Sequence, residues 1–188
     1  MKQEAGAENN MKIFLDTANI ESIKKYSDMG LVDGITTNPT LLSKEKGNPA
    51  EIMREIVKIV KGPVSLEVIG TTMEEMVNEA HGLKKYGQYV VVKIPMIPDG
   101  LKVVKKLKEE GIQTNVTLIF SANQAILAAK AGAAYVSPFI GRLDDAGHEG
   151  MTVISEIVQI FKNYQFNTDV LVASIRHPLH VTEAGKIG

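Results

Sequence analysis

YVVVKIPMIPDGLKVVKKLKEEGIQTNVTLI, residues 89–119, decides the fold class. It opens on a continuous apolar run, Tyr89–Ile94, broken only by Lys93, and closes on a second run, Thr114–Ile119. Between them Pro98-Asp99 opens the amphipathic stretch GLKVVKKLKEE, and Gly111 ends it. Proline in a first helical turn and glycine after the last turn punctuate a helix. Apolar runs that are continuous rather than alternating suit strands covered on both faces. The unit therefore reads strand, helix, strand, with a right-handed crossover and parallel pairing.

The same pattern extends in both directions. Strands are predicted at Lys12–Leu15, Gly34–Thr36, Val64–Val68, Tyr89–Ile94, Thr114–Ile119, Tyr135–Ser137 and Val170–Ala173. Asn19 caps a helix that runs through Met29 to a stop at Gly30, and Asn48-Pro49 starts another that ends before Gly62. Thr72 with Glu75, and Ser121 with Gln124, have capping-box spacing. Further helices are predicted over Gly150–Asn163 and Pro178–Ile187. The result is an α/β protein of seven strand–helix units with no break in composition.

Two architectures fit: an open doubly wound sheet and a closed eight-stranded barrel. No G-x-G-x-x-G follows the first strand, which weakens the dinucleotide-binding version. Polar residues end nearly every strand instead of gathering at one crevice, as a barrel requires. The barrel is favoured, with its eighth strand–helix unit absent from this chain. Residues 1–10, MKQEAGAENN, read as a polar leader or tag, and residues 11–188 as a single barrel domain truncated at its C-terminal end.

Composition narrows the function. The 188 residues carry 21 basic and 22 acidic side chains, so nothing electrostatic points to nucleic acid. No apolar run has the length of a membrane span, and no signal-like segment stands at the start, so a cytoplasmic protein is expected. The absence of cysteine excludes disulfides, thiolate zinc sites and cysteine nucleophiles. His177 and His180 lack a nearby carboxylate or third ligand at metal spacing and read as helix-start residues, so no metal site is expected.

Lys93 is the most informative residue. A lysine inside a strand buried on both faces loses hydration, which favours the neutral amine, and a neutral amine attacks carbonyls to form a Schiff base. The bland alternative is a strand-end lysine reaching for solvent. Asp16 and Glu67 fall at strand positions where carboxylates serve as acids and bases or pair with an ammonium. Asp16 could equally begin a loop. Thr36, Thr37, Asn38, Asn115, Thr117 and Ser137 offer hydroxyl and amide groups suited to a polyhydroxylated substrate. Two of the three arginines, Arg142 and Arg176, follow late strands, where barrel enzymes hold phosphate, and Ser174 stands beside the second. Alternatively Arg142 pairs with Asp144 or Asp145.

The segments FLDTANI, DGITTNPTLL, VVVKIP, TNVTLIFSANQAILAAKAGA, YVSPFIGRLDD and ASIRHP, in this order, resemble the transaldolase family. The branch they resemble is the short single-domain one that also contains the fructose-6-phosphate aldolases. The resemblance implies a TIM barrel of class I aldolase type and chemistry that needs no cofactor. It implies that Lys93 forms the Schiff base with a ketose phosphate such as sedoheptulose 7-phosphate or fructose 6-phosphate. Asp16 would be the acid/base for carbon–carbon cleavage, with Glu67 and Thr117 holding the assisting water. The dihydroxyacetone unit would pass to an aldose phosphate such as erythrose 4-phosphate or glyceraldehyde 3-phosphate, as in the pentose phosphate pathway.

Asn38 and Asn115 would bind that unit, Thr36 and Ser137 would line the site, and Arg142, Ser174 and Arg176 would take the phosphate. Homo-oligomers, pentamers or decamers, are the implied assembly. Similar aldolases typically carry glutamine at the position of Glu67 and tyrosine at that of Phe139, so this pair favours the transferase. A fructose-6-phosphate aldolase and an inactive, truncated phosphosugar-binding barrel are the alternatives.

Overall fold

The structure is a computed structural model describing residues 11–188; the reading of residues 1–10 as a leader falls outside the described residues. Seven parallel strands pair in sequence order: β1 (Phe14–Asp16), β2 (Gly34–Thr36), β3 (Val64–Glu67), β4 (Val90–Pro95), β5 (Thr114–Ile119), β6 (Tyr135–Pro138) and β7 (Asp169–Val170). The helices between and after them are α1 (Ile20–Ser27), α2 (Pro39–Lys44), α3 (Pro49–Ile59), α4 (Met73–Lys84), α5 (Pro98–Glu109), α6 (Ala122–Ala131), α7 (Ile140–Asp145), α8 (Gly150–Tyr164) and α9 (Pro178–Ile187).

The helix starts follow their sequence signals. Asn19 Oδ1 accepts from the Ser22 amide at 2.9 Å, and Asn48 Oδ1 from that of Ala50 at 2.9 Å. Thr72 and Glu75 make both arms of the capping box. Short α2 and α7 lie outside the predicted elements. The signal for α2 is legible in retrospect, since Asn38 caps it and Pro39 takes its first turn. Helix α7 has no side-chain cap, so nothing local announced it. The seventh strand is shorter than the predicted Val170–Ala173. Its ladder ends at Val170, yet Leu171 and Ala173 still donate to the Val136 and Pro138 carbonyls at 2.8 and 2.9 Å.

Outward strand residues pack beneath the helices. Ile35, Val64 and Leu66 meet Ile23, Ile52 and Ile56 in one cluster, while Val92, Ile94, Val116 and Val136 meet α4, α5, α6 and α8 in a larger one. A bulge in β5 lets a single strand serve both faces. Leu118 takes φ 59°, shifting the register so that Ile119 turns into the core while Leu118 faces solvent.

The sheet curls until its ends approach, which an open doubly wound sheet would not do. The Phe14 ring of β1 meets the Tyr135 ring of β6 with centroids 6.2 Å apart. Lys12 Nζ, just before β1, lies 3.1 Å from Asp169 Oδ2 of β7. Among the described residues no ladder joins β1 to β7. This is a seven-stranded part of a TIM barrel without its eighth unit. Among the described residues, no helix is long and apolar enough to cross a membrane.

Phe14 fills the barrel floor through the space left by Gly34, where an added Cβ would sit 2.3 Å from the ring and 2.6 Å from the Pro63 carbonyl oxygen. Gly34→Ala should therefore cost about 2 kcal/mol by overpacking, read by denaturant unfolding. Burial raises the Tyr135 phenol above its ordinary value, and the Asp169 partner raises the Lys12 ammonium. Each group binds its proton more tightly in the folded chain. Their contribution is therefore complete below the unfolded values, near 10.0 and 10.5, and is lost as pH rises through the folded ones. Melting temperature should fall in that alkaline range, and Tyr135→Phe should flatten part of the slope.

Candidate active site

Alternation along each strand sends every second side chain into the barrel. On β4 the inward position is Lys93, 5% exposed. Its register partners are Glu67 on β3 and Asn115 on β5, so the sheet itself sets a carboxylate beside the ammonium. Lys93 Nζ lies 3.0 Å from Glu67 Oε2 and donates to the Thr37 carbonyl at 3.2 Å. Lys93 does not snorkel to solvent.

Beside this pair runs a buried polar chain. The Ser137 hydroxyl donates to Asn115 Oδ1 at 2.8 Å, and Asn115 Nδ2 donates to Ser65 Oγ at 3.1 Å. This fixes which way the Asn115 amide faces. Ser65, absent from the sequence reading, is a junction here; its signal was the two-residue spacing from Glu67, which puts both on one face of β3. Thr117, 1% exposed and two residues beyond Asn115, has a buried hydroxyl with no partner. Buried hydroxyls are ordinarily satisfied, so this one marks a place where a water or substrate oxygen fits.

Other expected residues stand nearer the mouth. Asp16 is exposed and accepts from the Thr36 hydroxyl at 2.8 Å. Asn38 is part-buried, and its side-chain oxygen is committed to the Leu41 amide at 2.9 Å, capping α2. Its amide N–H groups are left for other partners. Phe139 faces Phe120 with centroids 6.0 Å apart, and the Arg142 guanidinium lies 5.9 Å above the Phe139 ring.

At the late-strand end, Ser174 takes φ 62°, and its carbonyl accepts from the Gly141 amide at 3.1 Å. This brings the segment carrying Arg176 against α7, which carries Arg142. The expected alternative partnership of Arg142 is not observed: it is the Arg176 guanidinium that pairs with Asp145, while Asp144 meets His180. The histidines do stand at a helix start, His177 as the N-cap of α9 and His180 in its first turn, but the expectation that no carboxylate lies near is corrected for His180. His180 is buried and has a carboxylate at 3.3 Å, because α7 folds Asp144 back onto α9, a proximity that sequence spacing does not encode.

The family model described as Transaldolase/Fructose-6-phosphate aldolase matches residues 13–188. A protein named "Probable transaldolase" from Nitrosopumilus maritimus (strain SCM1) is 66% identical over 179 residues, covering 95% of this chain and 81% of that one. Another of the same name, from Methanococcus vannielii, is 61% identical over 178 residues, covering 95% and 83%. Among solved structures, a mandelate oxidase mutant superposes with a TM-score of 0.61 at 13% identity, covering 94% of this chain and 61% of that chain, a likeness of fold alone. With the site geometry on one barrel and these matches over nearly its whole length, the chain belongs to the transaldolase/fructose-6-phosphate aldolase family.

Proposed function

We propose that the chain is a transaldolase, moving a dihydroxyacetone unit from a ketose phosphate to an aldose phosphate through a Schiff base on Lys93. The observation that carries this reading is the buried Lys93 ammonium, with one carboxylate and one carbonyl at hydrogen-bond distance in an interior of hydroxyl and amide groups. Sedoheptulose 7-phosphate or fructose 6-phosphate would be the donor. Erythrose 4-phosphate or glyceraldehyde 3-phosphate would be the acceptor, the exchange of the pentose phosphate pathway. Homo-oligomeric assembly and a cytoplasmic location belong to the same proposal, supported by family membership alone.

The chemistry follows from the roles these groups suit. Glu67 takes a proton from Lys93 across 3.0 Å, and the freed amine attacks the donor ketone. The carbinolamine loses its oxygen as water, with the proton returned through Glu67 and a water held at the unpartnered Thr117 hydroxyl. The resulting iminium is an electron sink. Asp16 removes the proton from the hydroxyl on the second carbon from the iminium, that carbon becomes the aldehyde of the leaving aldose phosphate, and the electrons of the broken carbon–carbon bond pass to the iminium to form the enamine. The enamine left on Lys93 then adds to the acceptor aldehyde, and hydrolysis frees the lysine.

Asn115, fixed by Ser65 and Ser137, and the free N–H groups of Asn38 would hold the hydroxyls of the transferred unit, with Thr36 lining the site. Arg142, Ser174 and Arg176 would bind the phosphate; Asp145 already offers Arg176 the kind of oxyanion a phosphate presents. Phe139 has no phenol to deliver a proton to the enamine, which favours transfer over release of free dihydroxyacetone.

Borohydride reduction in the presence of fructose 6-phosphate should add a sugar-derived mass to Lys93. Lys93→Ala should lose that adduct and more than about 10³-fold of transfer activity; transfer retained in the variant would sink the proposal. Glu67→Gln should keep the adduct site but slow its formation about 10²-fold, measured by quenched-flow trapping.

A further inference from the structure

Arg142 and Arg176 stand on different elements, one on α7 and the other between β7 and α9, and both side chains are exposed. If they are to meet one phosphate, the two elements must be held in a fixed relation. His180, in the first turn of α9 and 5% exposed, lies between them. The Arg176 backbone N–H donates to His180 Nδ1 at 3.3 Å. On the other side of the ring, Nε2 faces Asp144 Oδ2 at 3.3 Å, and Asp144 Oδ1 accepts from the Gly150 amide at 2.8 Å. The contacts thus run from the Arg176 backbone through the imidazole to the end of α7 and the start of α8.

Two details make this more than packing. Because Nδ1 accepts, the ring proton sits on Nε2, towards the carboxylate, so the contact uses one acceptor and one donor rather than bulk. The segment and α7 also touch so closely that a Cβ on Gly141 would sit 2.2 Å from the Ser174 carbonyl oxygen and 2.5 Å from Arg176 Nε. His177 covers the outer side of the ring, with centroids 3.8 Å apart.

We propose that His180 is a positioning residue for the phosphate end of the site, fixing the Arg176 backbone against α7 so that Arg176 and Arg142 address one phosphate. The inference rests on the transaldolase reading for what that phosphate belongs to. His180 acts through Arg176 and does not touch the substrate.

Two variants of similar size separate its two contacts. His180→Asn keeps an acceptor for the Arg176 amide, whereas His180→Gln keeps a partner for Asp144 and loses that acceptor. The readouts are KM and kcat for fructose 6-phosphate and for unphosphorylated fructose, calorimetric Kd for inorganic phosphate, and melting temperature. Each variant breaks one end of the link, so both should raise the fructose 6-phosphate KM and the phosphate Kd about tenfold, the scale of one lost buried hydrogen bond, with kcat within about twofold. The KM for fructose should not follow.

An unchanged phosphate Kd in either variant, an equal rise in the KM for fructose, or changes confined to melting temperature would overturn the inference. A wild-type chain with neither Lys93 adduct nor transfer, but a phosphate Kd that both variants still raise, would refute the transaldolase reading and leave the positioning role standing.

Discussion

A lysine placed inside a barrel must be met by an opposite charge or be driven neutral, and the rest of this site is arranged around how that demand is satisfied. Glu67 meets Lys93 because β3 and β4 pair in the one register that sets them side by side. A slip of one residue would turn one of the two side chains into the helix layer, leaving a charge in an apolar core and its partner unpaired. The register is therefore strongly constrained by the apolar residues that flank them. Val64, Leu66, Val92 and Ile94 must face the helices for Glu67 and Lys93 to face one another.

The polar interior is layered on that constraint. The floor is apolar, closed by Phe14 over Gly34 and by Tyr135. Above it the Ser65–Asn115–Ser137 chain satisfies buried groups from three strands. The β5 bulge, with Leu118 turned outward, then lets Thr117 and Ile119 serve opposite faces. On β5 the Thr114 and Thr117 hydroxyls are both buried without a partner, and Thr117 is the one two residues from Asn115, on the face that carries the polar chain. Proposed proton transfer at Lys93 and proposed phosphate binding at the arginines are accordingly built from different material: the first from side chains on strands, the second from short helices and a segment with left-handed backbone at Ser174.

Legibility in the sequence followed the range of the physics. Helix starts at Asn19, Asn48, Thr72 and Ser121 were readable because a cap acts over three or four residues. Strand positions were readable because burial on both faces leaves a continuous apolar run. Lys93 stood out for the same reason, as an interruption. Helix α7 was not readable, having no capping side chain, and Ser65 was not, since a serine in a strand is unremarkable until its neighbours are known. His180 was read correctly as a helix-start residue, but its carboxylate partner was not legible, being thirty-six positions away on an element the sequence did not announce.

What the sequence by itself determined was the alternation of strands and helices, the parallel barrel class, and the residues able to do carbonyl chemistry. These depend on periodicity and on side-chain type, both local properties. Only the tertiary structure decided the partners: Glu67 and the Thr37 carbonyl for Lys93, Ser65 and Ser137 for Asn115, Asp145 for Arg176, and Asp144 for His180. Each of these joins different elements, and the pairing is set by strand register and by how the curled sheet brings its late segments together. That geometry comes from packing the whole barrel at once, so no single stretch of sequence contains it.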